Sequence, residues 1–272
     1  MSAHRQPPIQ SFLFVPGDRP ERFEKALCSG ADAVIVDLED AVAPSAKEHA
    51  RSTIASWVSP ERRVLVRINA PGTPWFSEDV KLQALRGISG IVLPKAESAD
   101  TIRTLVAAHN RPVPIYPLVE TGLGMWNARE IAAAPSVRQL LFGTLDFIAD
   151  MGIGGDGDEL NAYRASLVLA SRVSGIEPPV DGVTPGIDNM DRLTQDARNG
   201  RRLGFGGKLC IHPKQVPVVN ECYRPSAAEL AWARRVLEAA ERTEGAAQVL
   251  DGKMIDRPVV LKAQRLIATS RS

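Results

Sequence analysis

The feature that most restricts the fold is a rhythm. Short apolar runs recur along the chain, each followed by a polar or Gly/Pro stretch and then a segment with helical spacing. The runs are Ser11–Val15, Ala33–Leu38, Val64–Asn69, Gly90–Pro94, Pro114–Glu120, Gln139–Gly143, Val180–Thr184 and Gly207–Ile211. Most are continuous rather than alternating, as strands buried on both faces of a parallel sheet must be. Helical spacing follows at Pro20–Cys28, Ala46–Trp57, Asp100–Ala108, Trp126–Ala133, Tyr163–Ser174 and Met190–Leu203. Eight strand-then-helix units predict an α/β fold, a (β/α)8 TIM barrel, with a doubly wound open sheet as the rival. Another helix is expected over Ala227–Arg242, with Leu230, Val236 and Leu237 facing inward and Arg234, Arg235 and Glu238 outward. The catalytic barrel is therefore expected over residues 1–243, and a short C-terminal extension over 244–272.

Composition removes several function classes. The chain has 272 residues and is 44% hydrophobic, enough for one large core and too apolar for global disorder. Lys and Arg number 33 against 32 Asp and Glu, a balance that argues against a nucleic-acid or acidic-membrane partner. The three cysteines, Cys28, Cys210 and Cys222, are widely spaced with no CxxC, so reduced thiols and a cytoplasmic location are expected. MSAHRQPPIQ lacks the apolar core of a signal peptide, and no apolar run is long enough for a membrane helix. GxGxxG, GxxxxGK[ST] and GxSxG are all missing, which argues against the common dinucleotide, P-loop and serine-hydrolase chemistries.

In a barrel the chemistry sits at the C-terminal ends of the strands. Six of the eight predicted ends carry ionisable groups: Asp37, Glu39 and Asp40, then Arg67, Lys95, Glu120, Asp146 and His212. If Glu120 and Asp146 end the fifth and sixth strands, their backbones are about 4.8 Å apart and both can reach one hard cation. Mg2+ needs only one or two carboxylates, with water and a chelating substrate completing the octahedron. The plainer alternative is that each caps a loop or pairs with an arginine. Arg67 suits a carboxylate or a developing oxyanion, or else it is ion-paired with Asp37 or Glu39. One of Asp37, Glu39 and Asp40 is expected to orient Arg67 or a metal-bound water. Lys95 reads as an anion contact or a solvated lysine, and His212 as a structural histidine or a base. Arg19 and Lys25 flank a helix start at Pro20, either an anion site for a phosphorylated cofactor or an ordinary capped helix. Gly152–Gly157 reads as a flexible segment beside the site.

The segments FVPGDRPERFEKA, VDLEDAV, VRIN, LPKAES, LVET and GRRLGFGGKLCIHPKQ occur in that order. Together they resemble the citrate lyase β-subunit family, also called the HpcH/HpaI aldolase/citrate lyase family, from about Ser11 to Ile267. The resemblance implies a TIM barrel, Mg2+, coenzyme A as part of the substrate, and a homo-oligomer, often a trimer. It assigns metal binding to Glu120 and Asp146 and substrate contact to Arg67; the placement of the residues adds Arg67 and Asp37 as catalytic candidates and Glu120 as a substrate contact. The resemblance gives Asp256, in MIDRP, a catalytic role in a neighbouring subunit. One departure is Gly143-Thr144-Leu145-Asp146, where many relatives carry an additional acid beside the metal ligand. The implied reaction cleaves or forms a 3-hydroxyacyl-CoA such as citryl-, malyl- or citramalyl-CoA, giving acetyl-CoA and a 2-oxo acid. Alternatives are a CoA-independent 2-oxo acid aldolase, a malyl-CoA-type thioesterase, or a citrate lyase subunit working on an acyl-carrier protein.

Overall fold

The computed structural model describes residues 8–108, 113–242 and 248–270. Contacts divide the chain into two compact units, Ile9–Asn220 and one built mainly from the residues after Asn220.

The first unit is a closed barrel of parallel strands in sequence order. They are β1 (Ser11–Pro16), β2 (Ala33–Asp37), β3 (Val64–Arg67), β4 (Ile88–Leu93), β5 (Ile115–Val119), β6 (Leu141–Phe142), β7 (Val180–Asp181) and β8 (Gly207–Cys210). Each overlaps the apolar run that announced it, so the barrel prevails over the open sheet. Closure is made by β1 against β8, where Phe12 pairs with Leu209. The helices are α1 (Phe23–Leu27), α2 (Lys47–Trp57), α3 (Phe76–Val80), α4 (Ala99–Ala107), α5 (Gly122–Trp126), α6 (Ala128–Ala132), α7 (Thr144–Met151), α8 (Asn161–Ser174), α9 (Met190–Leu203) and α10 (Val216–Tyr223). Ser98, Thr121 and Asn189 cap α4, α5 and α9 by accepting backbone N–H bonds. Gly152, Gly175 and Gly204 end α7, α8 and α9 in the left-handed conformation.

Strand side chains alternate between faces. The inward row fills the barrel with Phe12, Ile35, Leu65, Val92, Tyr116, Leu118, Leu141, Val180 and Leu209. Counting on by two along the same rows brings Asp37 after Ile35, Arg67 after Leu65 and Glu120 after Leu118. The polar site is thus the last layer of the barrel interior, and the pleat alone aims these groups at the axis. Gly90 makes room for Tyr116 in that interior: a Cβ there would meet Tyr116 Cε2 at 2.7 Å and Pro114 O at 2.8 Å.

The second unit packs α11 (Ala227–Arg242) on α12 (Arg257–Ser270), with Ala233, Val236, Ile255 and Ala263 as its buried core. Leu230 and Leu237 are half-buried, while Arg234, Arg235 and Glu238 are exposed. Because α11 shares its core with α12, the division falls at Asn220/Glu221, ahead of the 243/244 boundary read from the sequence. A hairpin of β9 (Gln248–Leu250) and β10 (Lys253–Ile255) lies between these helices in the chain. Its turn is Asp251-Gly252, both with positive φ, as a type I′ turn requires. Among the described residues, no helix is long and apolar enough to cross a membrane.

Gly90→Ala is expected to lower the unfolding free energy by about 1–3 kcal/mol through overpacking. Gly154→Ala, whose Cβ would meet nothing within 4 Å, should leave it unchanged. Urea unfolding of the two variants beside the parent chain checks both.

Candidate active site

The barrel mouth is built around a largely enclosed arginine, Arg67. Asp37 and Arg67 are register partners at the ends of β2 and β3. Arg67 Nε and Nη2 each donate to one oxygen of Asp37, both at 2.6 Å. The same carboxylate accepts the backbone N–H groups of Glu39 and Ala41, so its acceptor capacity is fully used. Arg67 Nη1 lies 2.9 Å from Glu39 and 3.7 Å from Asp40, and the guanidinium sits over the Phe14 ring. Burial opposes the arginine's charge, but Asp37, Glu39 and Asp40 outweigh it and raise the pKa above the ordinary value. The ion pair with Asp37 is therefore present, as one of the two sequence readings held.

The turn that carries Glu39 is fixed from below. Lys47, a buried residue of α2, donates to the carbonyls of Leu38 and Glu39 at 2.8 and 2.9 Å. Glu39 itself is buried, and desolvation pushes its carboxyl up to about 8. Arg67 opposes that rise, while Glu120, Asp40 and Asp37 add to it.

On the other side of the mouth, Glu120 follows β5 and is 1% exposed. Its Oε1 accepts the backbone N–H of Lys95 at 2.8 Å. Burial pushes Glu120 up to about 7; Lys95 opposes this, Asp146 reinforces it and Arg67 opposes it. Gly143, which follows β6, lies against it so closely that a Cβ would stand 2.5 Å from Glu120 Cβ. Asp146 does not end a strand as expected. It sits in the first turn of α7, since β6 stops at Phe142 and the helix starts at Thr144. It nevertheless meets Glu120 through a shared cation: Lys95 Nζ is 2.6 Å from Asp146 Oδ1 and 3.5 Å from Glu120 Oε1. Burial alone would lower the Lys95 pKa, but the hydrogen bond to Asp146 and the charges of Glu120 and Asp146 raise it. Sequence separations of 25 and 51 residues hid this bridge.

Arg67, Asp37, Asp40, Glu120 and Asp146 line one cavity of about 350 Å³, whose apolar wall includes Phe14, Leu118, Val183 and Leu209. Two carboxylates converging on one positive centre are the donor set a small hard dication takes, with water and ligand oxygens filling its remaining positions. Among the described residues, no three or more His, Cys, Asp or Glu side chains are grouped to hold a metal, so such an ion would rest on Glu120 and Asp146 alone.

The other candidates lie elsewhere. Arg19 precedes a three-residue 3-10 turn, Pro20–Arg22, and its exposed side chain is 4.0 Å from Asp18. That turn is too short to present a helix N-terminus, and neither Arg19 nor the exposed Lys25 lines the cavity. His212 caps the next turn, its Nδ1 accepting the Lys214 N–H at 3.1 Å. Asp256 caps α12 by accepting from Val259 N at 3.3 Å. In the Gly152–Gly157 stretch, Asp156 pairs with Arg192 and Gly157 O accepts a hydrogen bond from Arg164.

The family model described as HpcH/HpaI aldolase/citrate lyase matches residues 10–213, from β1 through the turn after β8. The chain belongs to this family. Similarity to individual HpcH/HpaI members runs past that span. A citrate lyase subunit beta-like protein of Mycobacterium tuberculosis is 40% identical over 263 residues, 94% of this chain and 93% of that one. A (3S)-malyl-CoA thioesterase of Cereibacter sphaeroides is 36% identical over 280 residues, 99% and 97% of the two chains. The crystal structure of CitE from M. tuberculosis in complex with magnesium, acetoacetate and coenzyme A matches with a TM-score of 0.85. It is 38% identical and covers 97% of this chain and 99% of that one.

Glu39 and Glu120 hold protons up to about 8 and about 7 in the folded chain and release them near 4.5 when unfolded. The folded state thus binds more protons across that window, so its stability falls as pH rises through it. Urea midpoints measured in chelator at pH 5.5, 7 and 8 should decrease in that order, and Glu39→Gln should flatten the trend.

Proposed function

We propose that the chain is a Mg2+-dependent carbon–carbon lyase acting on a 3-hydroxyacyl-CoA of the citryl-, malyl- or citramalyl-CoA kind. The observation that carries this reading is the convergence of Glu120 and Asp146 on one cationic centre, in a cavity that Arg67 also lines. The CitE relative's complex with magnesium, acetoacetate and coenzyme A supports the ligand class.

Magnesium on Glu120 and Asp146 would supply Lewis-acid polarisation of the substrate's hydroxyl and carboxylate oxygens. The chain's own groups account for the rest of the chemistry. Arg67, already ordered by the Asp37 fork, would meet the oxyanion that develops on the thioester, without reorganising in the transition state. As the hydroxyl passes its proton to a solvent water and becomes a carbonyl, the adjacent C–C bond would break and its electron pair pass to the thioester as an enolate. The apolar wall of Phe14, Leu118, Val183 and Leu209 would keep bulk water from that carbon. Asp256 of the partner subunit, in a homotrimer, would return the proton that completes acetyl-CoA. Arg19 and Lys25 are the proposed contacts for the phosphates of coenzyme A. A cytoplasmic location belongs to the same reading.

Thioester hydrolysis is a second reading, favoured by the malyl-CoA thioesterase relative. Mass spectrometry of the products from a panel of 3-hydroxyacyl-CoA substrates separates the two. Acetyl-CoA plus a 2-oxo acid is expected; free coenzyme A plus the intact hydroxy acid would establish the hydrolase instead. Glu120→Gln should abolish Mg2+-dependent turnover, and Arg67→Met should lower kcat by about 10²–10³. Full activity in Glu120→Gln would remove the metal role.

A further inference from the structure

We infer that Lys95 is the built-in counter-cation of the Glu120–Asp146 pair, and that a divalent ion binds there only by displacing the Lys95 ammonium. The inference rests on the metal reading proposed above and concerns how that metal is admitted.

The ammonium stands where the two carboxylates converge, 2.6 Å from Asp146 and 3.5 Å from Glu120. A dication bound to both would have to share that space with another positive charge, and like charges so close repel strongly. One must leave, and the geometry decides which. The Lys95 backbone is anchored: its N–H donates to Glu120 Oε1 at 2.8 Å, and that hydrogen bond does not depend on where the side chain lies. To make this bond Lys95 takes a φ of 46°, the left-handed region that side chains with a Cβ rarely adopt. The side chain is different. It is 34% exposed, against 1% for Glu120, so its four-carbon stem has solvent to swing into while the carboxylate does not. Lys95 therefore does two separable things: its amide holds Glu120, and its ammonium neutralises the pair until a metal takes over.

Calorimetric titration of the full chain with Mg2+, free of substrate, tests this on the parent, Lys95→Met, Lys95→Gly and Glu120→Gln. Lys95→Met should bind Mg2+ more tightly, by up to about fivefold, because the metal no longer has to break an ion pair. Its metal-free form should melt below the parent, and saturating Mg2+ should close that gap. Lys95→Gly adopts a positive φ without strain and retains the amide bond to Glu120, so it should show the same gain in affinity even if Lys95→Met folds poorly. Unchanged or weaker Mg2+ binding in both lysine variants, with the parent binding Mg2+ and Glu120→Gln not, overturns the displacement and leaves the metal reading standing. No saturable Mg2+ binding in the parent or in either lysine variant overturns both.

Discussion

Negative charge in a confined space is the constraint on which the site depends. Asp37, Glu39, Asp40, Glu120 and Asp146 gather at one end of the barrel, and Asp37, Glu39 and Glu120 are buried there. Their mutual repulsion is strong away from bulk water. The fold meets it in two ways. Two cations are threaded among the carboxylates, Arg67 on the β2–β3 side and Lys95 on the β5–β6 side. Two of the acids, Glu39 and Glu120, have pKa values raised to about 8 and about 7, so part of the charge is quenched by protons. The division has a functional consequence. Arg67 is locked by a bidentate fork, whereas Lys95 is a partly exposed side chain held by its pairing with Asp146 and Glu120.

Supporting groups follow from the same constraint. Lys47 spends its ammonium on the carbonyls of Leu38 and Glu39, which fixes the turn that brings Glu39 to Arg67. Glycine at 143 lets the chain after β6 pass against Glu120, where a Cβ would stand 2.5 Å from Glu120 Cβ. Lys47 and Gly143 lie far apart in the chain, yet the first opens α2 and the second joins the end of β6 to α7, so each is placed by a rigid part of the barrel.

Much of this was legible in the sequence. Continuous apolar runs marked the strands, and polar residues at their ends marked the mouth, because burial on both faces and inward alternation are written in local composition. Asp37, Arg67 and Glu120 were found for that reason. Asp146 was found for its chemistry but misplaced by one element, because LLFGTLDFIADM stays apolar across the strand, the loop and α7 and shows no break at Gly143. The hairpin Gln248–Ile255 was missed although Asp251-Gly252 carried the turn signal, because Val249 and Met254 flank it on strands only three residues long. Lys95 reads from sequence as either an anion contact or a solvated lysine, because its partners Glu120 and Asp146 lie far along the chain and only barrel closure brings them together. The family relationship added what no local pattern contains, the proposed role of Asp256.

The most direct measurement is a crystal structure of the chain grown with Mn2+, with the ion located by its anomalous signal. The ion is expected between Glu120 and Asp146, bound to an oxygen of each, with the Lys95 ammonium moved out of the gap. Manganese bound elsewhere, or carboxylate oxygens too far apart to reach a common centre while Lys95 still bridges them, would contradict a shared dication at this mouth.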